Sequence, residues 1–110
     1  MKTLVKSTSQ FDKESRRLIR KYRSLRAELS LLRDELQQGE RPGARLSGTG
    51  YTTYKARLPN RSAGRGKSGG FRVIYQDRSG QLVLLLLIYS KTEHADILNH
   101  VIRRLIRSVE

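Results

Sequence analysis

Residues 54–91 read YKARLPNRSAGRGKSGGFRVIYQDRSGQLVLLLLIYSK. Side chains two apart in a pleated strand face the same side. Lys55 and Arg57 therefore share one face of a strand expected over Tyr51 to Leu58, which Pro59-Asn60 stop. Arg72 alternates with apolar residues in FRVIY, a strand expected over Phe71 to Gln76, and joins that face if the two strands pair. Asp77 to Gly80 has hairpin-turn composition. The run Leu82 to Tyr89 is apolar without alternation and is closed by Lys91, which predicts a central strand covered on both faces. A short buried helix has the same local signature. Arg61 to Gly70 is a polar, glycine-rich connection carrying Arg61, Arg65 and Lys67. Basic residues aligned on a rigid sheet make a surface suited to a phosphodiester backbone.

Upstream, Thr3 to Lys6 is expected as a short edge strand, and Ser9 as a helix N-cap with Asp12 in the first turn. Phe11, Leu18, Tyr22, Leu25, Leu29, Leu32 and Leu36 recur at helical spacing, giving one apolar stripe. A single helix ending at Gly39 and a hairpin broken near Arg23, with Ser24 capping the second helix, both fit this stripe. The hairpin is favoured, because a domain of this size rarely holds a helix of about 45 Å. Gly39 to Gly50 reads as a loop. Downstream, Thr92 is the expected N-cap of an amphipathic helix marked by Leu98, Val101, Ile102, Leu105, Ile106 and Val109, with Arg103, Arg104 and Arg107 on its polar side. The expected order is β-α-α-β-β-β-α.

The chain has 110 residues, with 23 Lys and Arg against 10 Asp and Glu, and a net charge of +13. A single domain over 1–110 is expected. So large an excess of cations implies a polyanionic partner, with nucleic acid ahead of a membrane surface. There is no Cys, which excludes disulfides and Cys-ligated zinc. The stretch MKTLVKSTSQFDKES has no signal-peptide apolar core, and Leu82 to Tyr89 is too short to span a bilayer. A cytoplasmic location without membrane association is the expectation.

Gly64-Arg65-Gly66-Lys67-Ser68-Gly69 matches G-x-G-x-x-G, but the dinucleotide fingerprint needs a preceding strand and a following helix, and here a strand follows. A P-loop reading fails because its first glycine would fall at Arg61. A basic connection is left, able to touch a nucleic-acid backbone. His94 and His100 are six apart, off the spacing of helical metal ligands, and acids are few, so no metal or other cofactor is expected. His94 follows Lys91-Thr92-Glu93 at a strand-to-helix junction, where it is either an acid/base group or a surface residue of the first helical turn. Glu93 and Asp96 read as helix N-terminal charges, with Glu93 also a candidate base or a group that orients Lys91. Arg16, Arg17, Arg20, Lys21, Arg23 and Arg26 form a second basic cluster, either a solvated helix face or a grip on rRNA or phosphate.

Four stretches in this order, FDKES…KYRSLRAEL, YKARL, GKSGGFRVIY and LLLLIYSKTEHADI, resemble the RelE/ParE superfamily of toxins from type II toxin–antitoxin pairs, most closely its HigB-like branch. The resemblance covers most of the chain, and GKSGGFRVIY with IYSKxExxDI is its more specific part. It implies an α+β fold: a small antiparallel sheet, an N-terminal helical hairpin and a C-terminal helix, with a concave basic face. It also implies an endoribonuclease that cuts mRNA on the ribosome, and a cognate antitoxin. Lys55 and Arg57 match the family's paired basic residues, Arg72 its next-strand arginine, and Lys91 the basic residue ending the last core strand. RelE carries a catalytic tyrosine near its C-terminus, and no Tyr follows Tyr89 here. Tyr89, Glu93 or His94 then substitutes, or the cations carry the chemistry.

RNA is cut without metal when the 2′-OH attacks the adjacent phosphate, provided charge is stabilised and protons are moved. Fixed guanidinium and ammonium groups serve the charge, and a lysine crowded by other cations serves as base. The expected catalytic set is Arg72, Lys91, Lys55, Arg57, His94 and Glu93, with Arg61, Arg65, Lys67 and Tyr89 contacting RNA. Two rivals stand beside this reading: a ParE-like inhibitor of DNA gyrase, and a non-catalytic RNA- or ribosome-binding protein.

Overall fold

The computed structural model describes residues 2–110, Ser68 by its backbone only; Met1, the first residue of the expected 1–110 span, lies outside the described residues. The chain runs β1 (Leu4–Ser7), α1 (Ser9–Lys21), α2 (Leu25–Gln37), β2 (Ala44–Arg45), β3 (Thr53–Leu58), β4 (Phe71–Asp77), β5 (Leu82–Ser90) and α3 (Asn99–Ser108). The five strands form one sheet in the order β1-β5-β4-β3-β2. The class and the helical hairpin are as expected, with two refinements. A two-residue strand, β2, interrupts the expected 39–50 loop and pairs with β3. The expected edge strand β1 joins β5 in parallel, while the other pairings are antiparallel.

Both faces of the sheet are covered. Phe11, Leu18, Leu25, Leu29, Leu32 and Leu36 of the hairpin pack on Ala56, Leu58, Phe71, Val73, Tyr75, Val83, Leu85 and Ile88. Ile102 and Ile106 of α3 pack on the other face, against Ile74, Leu84, Leu86, Leu87 and Tyr89. The absence of alternation in β5 follows from this double burial and from a bulge. The ladder steps from Ile74↔Leu87 to Tyr75↔Leu85, so Leu86 is extra and both Leu86 and Leu87 join the α3 layer. Burying one such side chain contributes roughly 1.5–3 kcal/mol, which fixes the register.

Three expected caps are corrected. Thr8, not Ser9, caps α1: its hydroxyl accepts from Phe11 N at 3.0 Å and donates to Leu86 O at 2.9 Å, fastening the helix to β5. Ser24 precedes α2 but makes no side-chain cap; its hydroxyl instead accepts from Ser62 N at 3.0 Å, joining the hairpin turn to the basic connection. Thr92 caps nothing, because α3 begins only at Asn99. Residues 91–98 form an irregular strap, since the apolar anchors that hold α3 to the sheet, Ile102 and Ile106, lie beyond it.

Among the described residues, no helix is long and apolar enough to cross a membrane.

Candidate functional site

The pairing registers assemble the basic face. Arg57 lies opposite Arg72, and Arg72 opposite Tyr89, so the three form one row across β3, β4 and β5. Ala56, Leu58, Phe71 and Val73 point into the helical hairpin, so this row occupies the opposite face, shared with α3. Lys55 starts one pleat to one side of the row, opposite Ile74; Lys91 starts one pleat to the other, where its amide donates to Gly70 O at 2.9 Å.

Arg72 is 4% exposed, and its Nη1 donates to the carbonyls of Lys67 at 2.7 Å and Phe71 at 3.2 Å. The Lys67 carbonyl belongs to the glycine-rich connection, which is not a floppy loop. It forms two 3₁₀ turns, Arg61–Ala63 and Lys67–Gly69, and an Asn60–Arg65 bridge. β4 follows it directly, so no helix stands where a dinucleotide or P-loop site needs one. Gly70 makes the arrangement possible: a Cβ there would lie 1.9 Å from Leu58 O and 2.9 Å from Asn60 N. Gly43 does the same for Lys55: it sits at φ +97, and a Cβ there would lie only 2.3 Å from Lys55 O.

Asp96 is the acid the sequence did not assign to this face. Its Oδ1 lies 3.3 Å from Lys91 Nζ and 3.5 Å from Lys55 Nζ, and accepts from the Tyr89 hydroxyl at 3.4 Å. The lysines therefore meet a carboxylate as well as other cations. The Lys91 hydrogen bond, then the charges of Lys55 and Lys91, hold the Asp96 carboxyl below its usual range. Burial, then the Asp96 charge, pushes the Tyr89 phenol up, with the Arg72 charge partly opposing. Tyr89 thus stays a protonated donor beside a guanidinium and a carboxylate.

Other expected site residues are placed elsewhere. Glu93 is turned toward α1, accepting from Arg17 Nη2 at 2.9 Å and Lys21 Nζ at 3.2 Å. The Arg17 hydrogen bond leads the effects that hold its carboxyl low, so it is an anchored acid and not a poised base. His94, outside any helix, lines a cavity of about 210 Å³ with Gln10, Glu14, Leu87, Ile88, Tyr89 and Ile97. The helix-terminal reading of Glu93, His94 and Asp96 is therefore corrected: all three lie on the strap, because α3 starts later. Arg61 is drawn to the hairpin layer, its Nε 2.9 Å from Glu28. Arg65 and Lys67 are exposed at the rim, and Arg57 is exposed with no ion pair among the described residues. No three His, Asp or Glu side chains converge to hold a metal among the described residues.

No family model matches the chain, and no curated protein matches it. A solved structure of the E. coli toxin RelE, a double arginine-to-alanine variant in the free state, superposes with a TM-score of 0.62 at 20% identity, covering 100% of both chains. The chain thus has the RelE fold over its whole length.

Proposed function

We propose that this protein is the toxin of a type II toxin–antitoxin pair, a metal-independent endoribonuclease of the HigB-like kind that cuts mRNA on the ribosome in the cytoplasm. The observation that carries the reading is the row Arg57, Arg72 and Tyr89 across three strands, flanked by Lys55 and Lys91 on the same face. The whole-length likeness to the E. coli toxin RelE supports it.

In this reading Arg72, preset by two carbonyls, and exposed Arg57 stabilise the charge that builds on the phosphorane oxygens. The 2′-oxygen bonds to phosphorus as its proton passes to a base, the role this reading gives Lys55 once RNA has displaced its Asp96 partner and the ammonium has lost its proton to solvent. The bond to the 5′-oxygen breaks, and Tyr89 protonates it as the leaving group. The products are a 2′,3′-cyclic phosphate and a 5′-hydroxyl. Lys91 neutralises the phosphate, while Arg65 and Lys67 at the rim guide the strand. Arg20, Arg23 and Arg26, which line a groove of about 360 Å³ on the helical layer, are a second cationic surface suited to rRNA. A cognate antitoxin silences the protein, by an acidic segment at Lys55, Arg57, Arg72 and Lys91 or by blocking approach to the ribosome. An apolar strip joins that contact, and Leu98 and Val101 offer exposed apolar surface for it.

The test is purified protein incubated with translating ribosomes and mRNA, with cleavage mapped by primer extension. Cuts within codons, ending in cyclic phosphate, are expected. Gyrase-dependent DNA breaks with intact mRNA would replace this reading with a ParE-like one, and binding without either activity would leave a non-catalytic RNA-binding protein.

A further inference from the structure

We infer that Asp96 is an intramolecular occupant of the RNA-binding site, its carboxylate standing where a phosphodiester of the substrate must bind. The inference rests on the proposed function and adds a built-in competitor to it. Three donors, Lys55, Lys91 and the Tyr89 hydroxyl, converge on one oxygen of Asp96. An anionic oxygen meeting two ammonium groups and a phenol is the environment a phosphate oxygen seeks. The residue supplying it is built to leave. Asp96 has a side chain 61% exposed and lies on the irregular strap 91–98. Near the start of the strap, Glu93 grips Arg17 and Lys21 through exposed pairs, while the Lys91 amide and the packed Ile97 side chain hold the strap backbone on either side of Asp96. Ion pairs of this kind are weak and screened by salt, so an incoming polyanion can replace them without disturbing the sheet or α3. The depressed acidity range of Asp96 agrees with a resident anion and makes it a poor proton acceptor.

Binding of a short, fluorescently labelled single-stranded RNA, 2′-O-methylated so that it cannot be cut, reads this directly by anisotropy. Asp96→Asn and Asp96→Ala should tighten binding by roughly 2- to 30-fold, the range corresponding to loss of two exposed ion pairs. Asp96→Glu should stay near the parent. Asp34→Asn, which removes an equal charge from α2 in the hairpin layer, should change binding by less than about 2-fold if local occupancy and not net charge is responsible. Circular dichroism checks that each variant is folded.

Arg57→Ala, at the exposed cation of the row, separates the two readings. If it binds RNA as the parent does, RNA does not use this face and the proposed function loses its site. If Arg57→Ala weakens binding while both Asp96 variants bind no tighter than the parent, the occupant inference alone is overturned. Equal tightening by Asp34→Asn also overturns it. So does an Asp96→Asn variant that binds unchanged yet cleaves orders of magnitude more slowly, since Asp96 would then take part in the chemistry.

Discussion

Replacing Arg72 with alanine probes both the proposed chemistry and the packing that presets it. The guanidinium is 4% exposed, and its Nη1 donates at 2.7 and 3.2 Å to two backbone carbonyls. If it stabilises the transition state, its removal should slow cleavage by about 10²–10³, or roughly 2.7–4 kcal/mol, the scale for one preorganised group. Truncation also takes a donor from the Lys67 carbonyl, which still accepts from the Gly70 amide, and from the Phe71 carbonyl, at about 0.5–1.5 kcal/mol for each hydrogen bond lost. Relief from Arg57, its cross-strand partner, offsets part of that loss. A fall in Tm of roughly 3–10 °C follows for a domain of this size. Cleavage of a reporter mRNA on translating ribosomes should therefore be timed well below both melting temperatures, with circular dichroism in parallel. A folded Arg72→Ala protein that cleaves within about threefold of the parent would refute the assignment, because no preorganised charge-stabilising group contributes so little.

Tyr89→Phe should slow cleavage by about 10²–10⁴ if the phenol protonates the leaving oxygen, and a 5′-thio leaving group, which needs no proton, should recover most of the rate; equal defects on both substrates would remove Tyr89 from that role. Gly70→Ala should destabilise the protein by about 1–3 kcal/mol in urea unfolding, because the added methyl meets Leu58 O at 1.9 Å; an unchanged midpoint would show that the β3–β4 approach yields freely. Asp77 titrates below its ordinary range: burial alone would raise it, but the Arg41 hydrogen bond and the Gly80 and Ser79 amides outweigh that. A carboxyl with a depressed folded pKa adds stability that is full above its unfolded value of about 3.9 and disappears as pH falls through the folded one. Arg41→Gln should accordingly flatten the dependence of the urea midpoint as pH falls below about 4, the unfolded carboxylate range; parallel curves for the two proteins would contradict it. EDTA should leave cleavage of a minimal RNA substrate unaffected, since no Cys exists and no donor cluster forms among the described residues, whereas loss restored specifically by zinc or manganese would contradict the cationic mechanism.

Which parts of this architecture can be read from the chain depends on how local their causes are. The hairpin stripe from Phe11 to Leu36, the strands around Lys55, Arg72 and Leu85, and the turn at Gly80 each follow from contiguous residues, and the structure has them. α3 starts later than Thr92 predicts, for an equally physical reason. Thr92 has cap chemistry, but helices are held chiefly by tertiary packing of an apolar face, and the α3 anchors are Ile102 and Ile106. Ser24 has cap chemistry too, and a hydroxyl from a distant loop, Ser62, claims it. The short strand β2 has little signal of its own and exists because β3 offers it an edge.

By itself the sequence determined the element types, the excess of cations and the placing of Lys55 and Arg57 on one face, because period-two and period-3.6 patterns act over a few residues. Only the tertiary structure decided that Arg57, Arg72 and Tyr89 form a row, since that depends on two strand registers selected by burial on both faces. It also decided that Glu93 leaves the face for α1 while Asp96 enters it, between Lys55 and Lys91. The partners Arg17 and Lys55 are remote from the strap along the chain, and charge pairs across such separations are set by where the packed layers bring the backbone, not by any local pattern of residues.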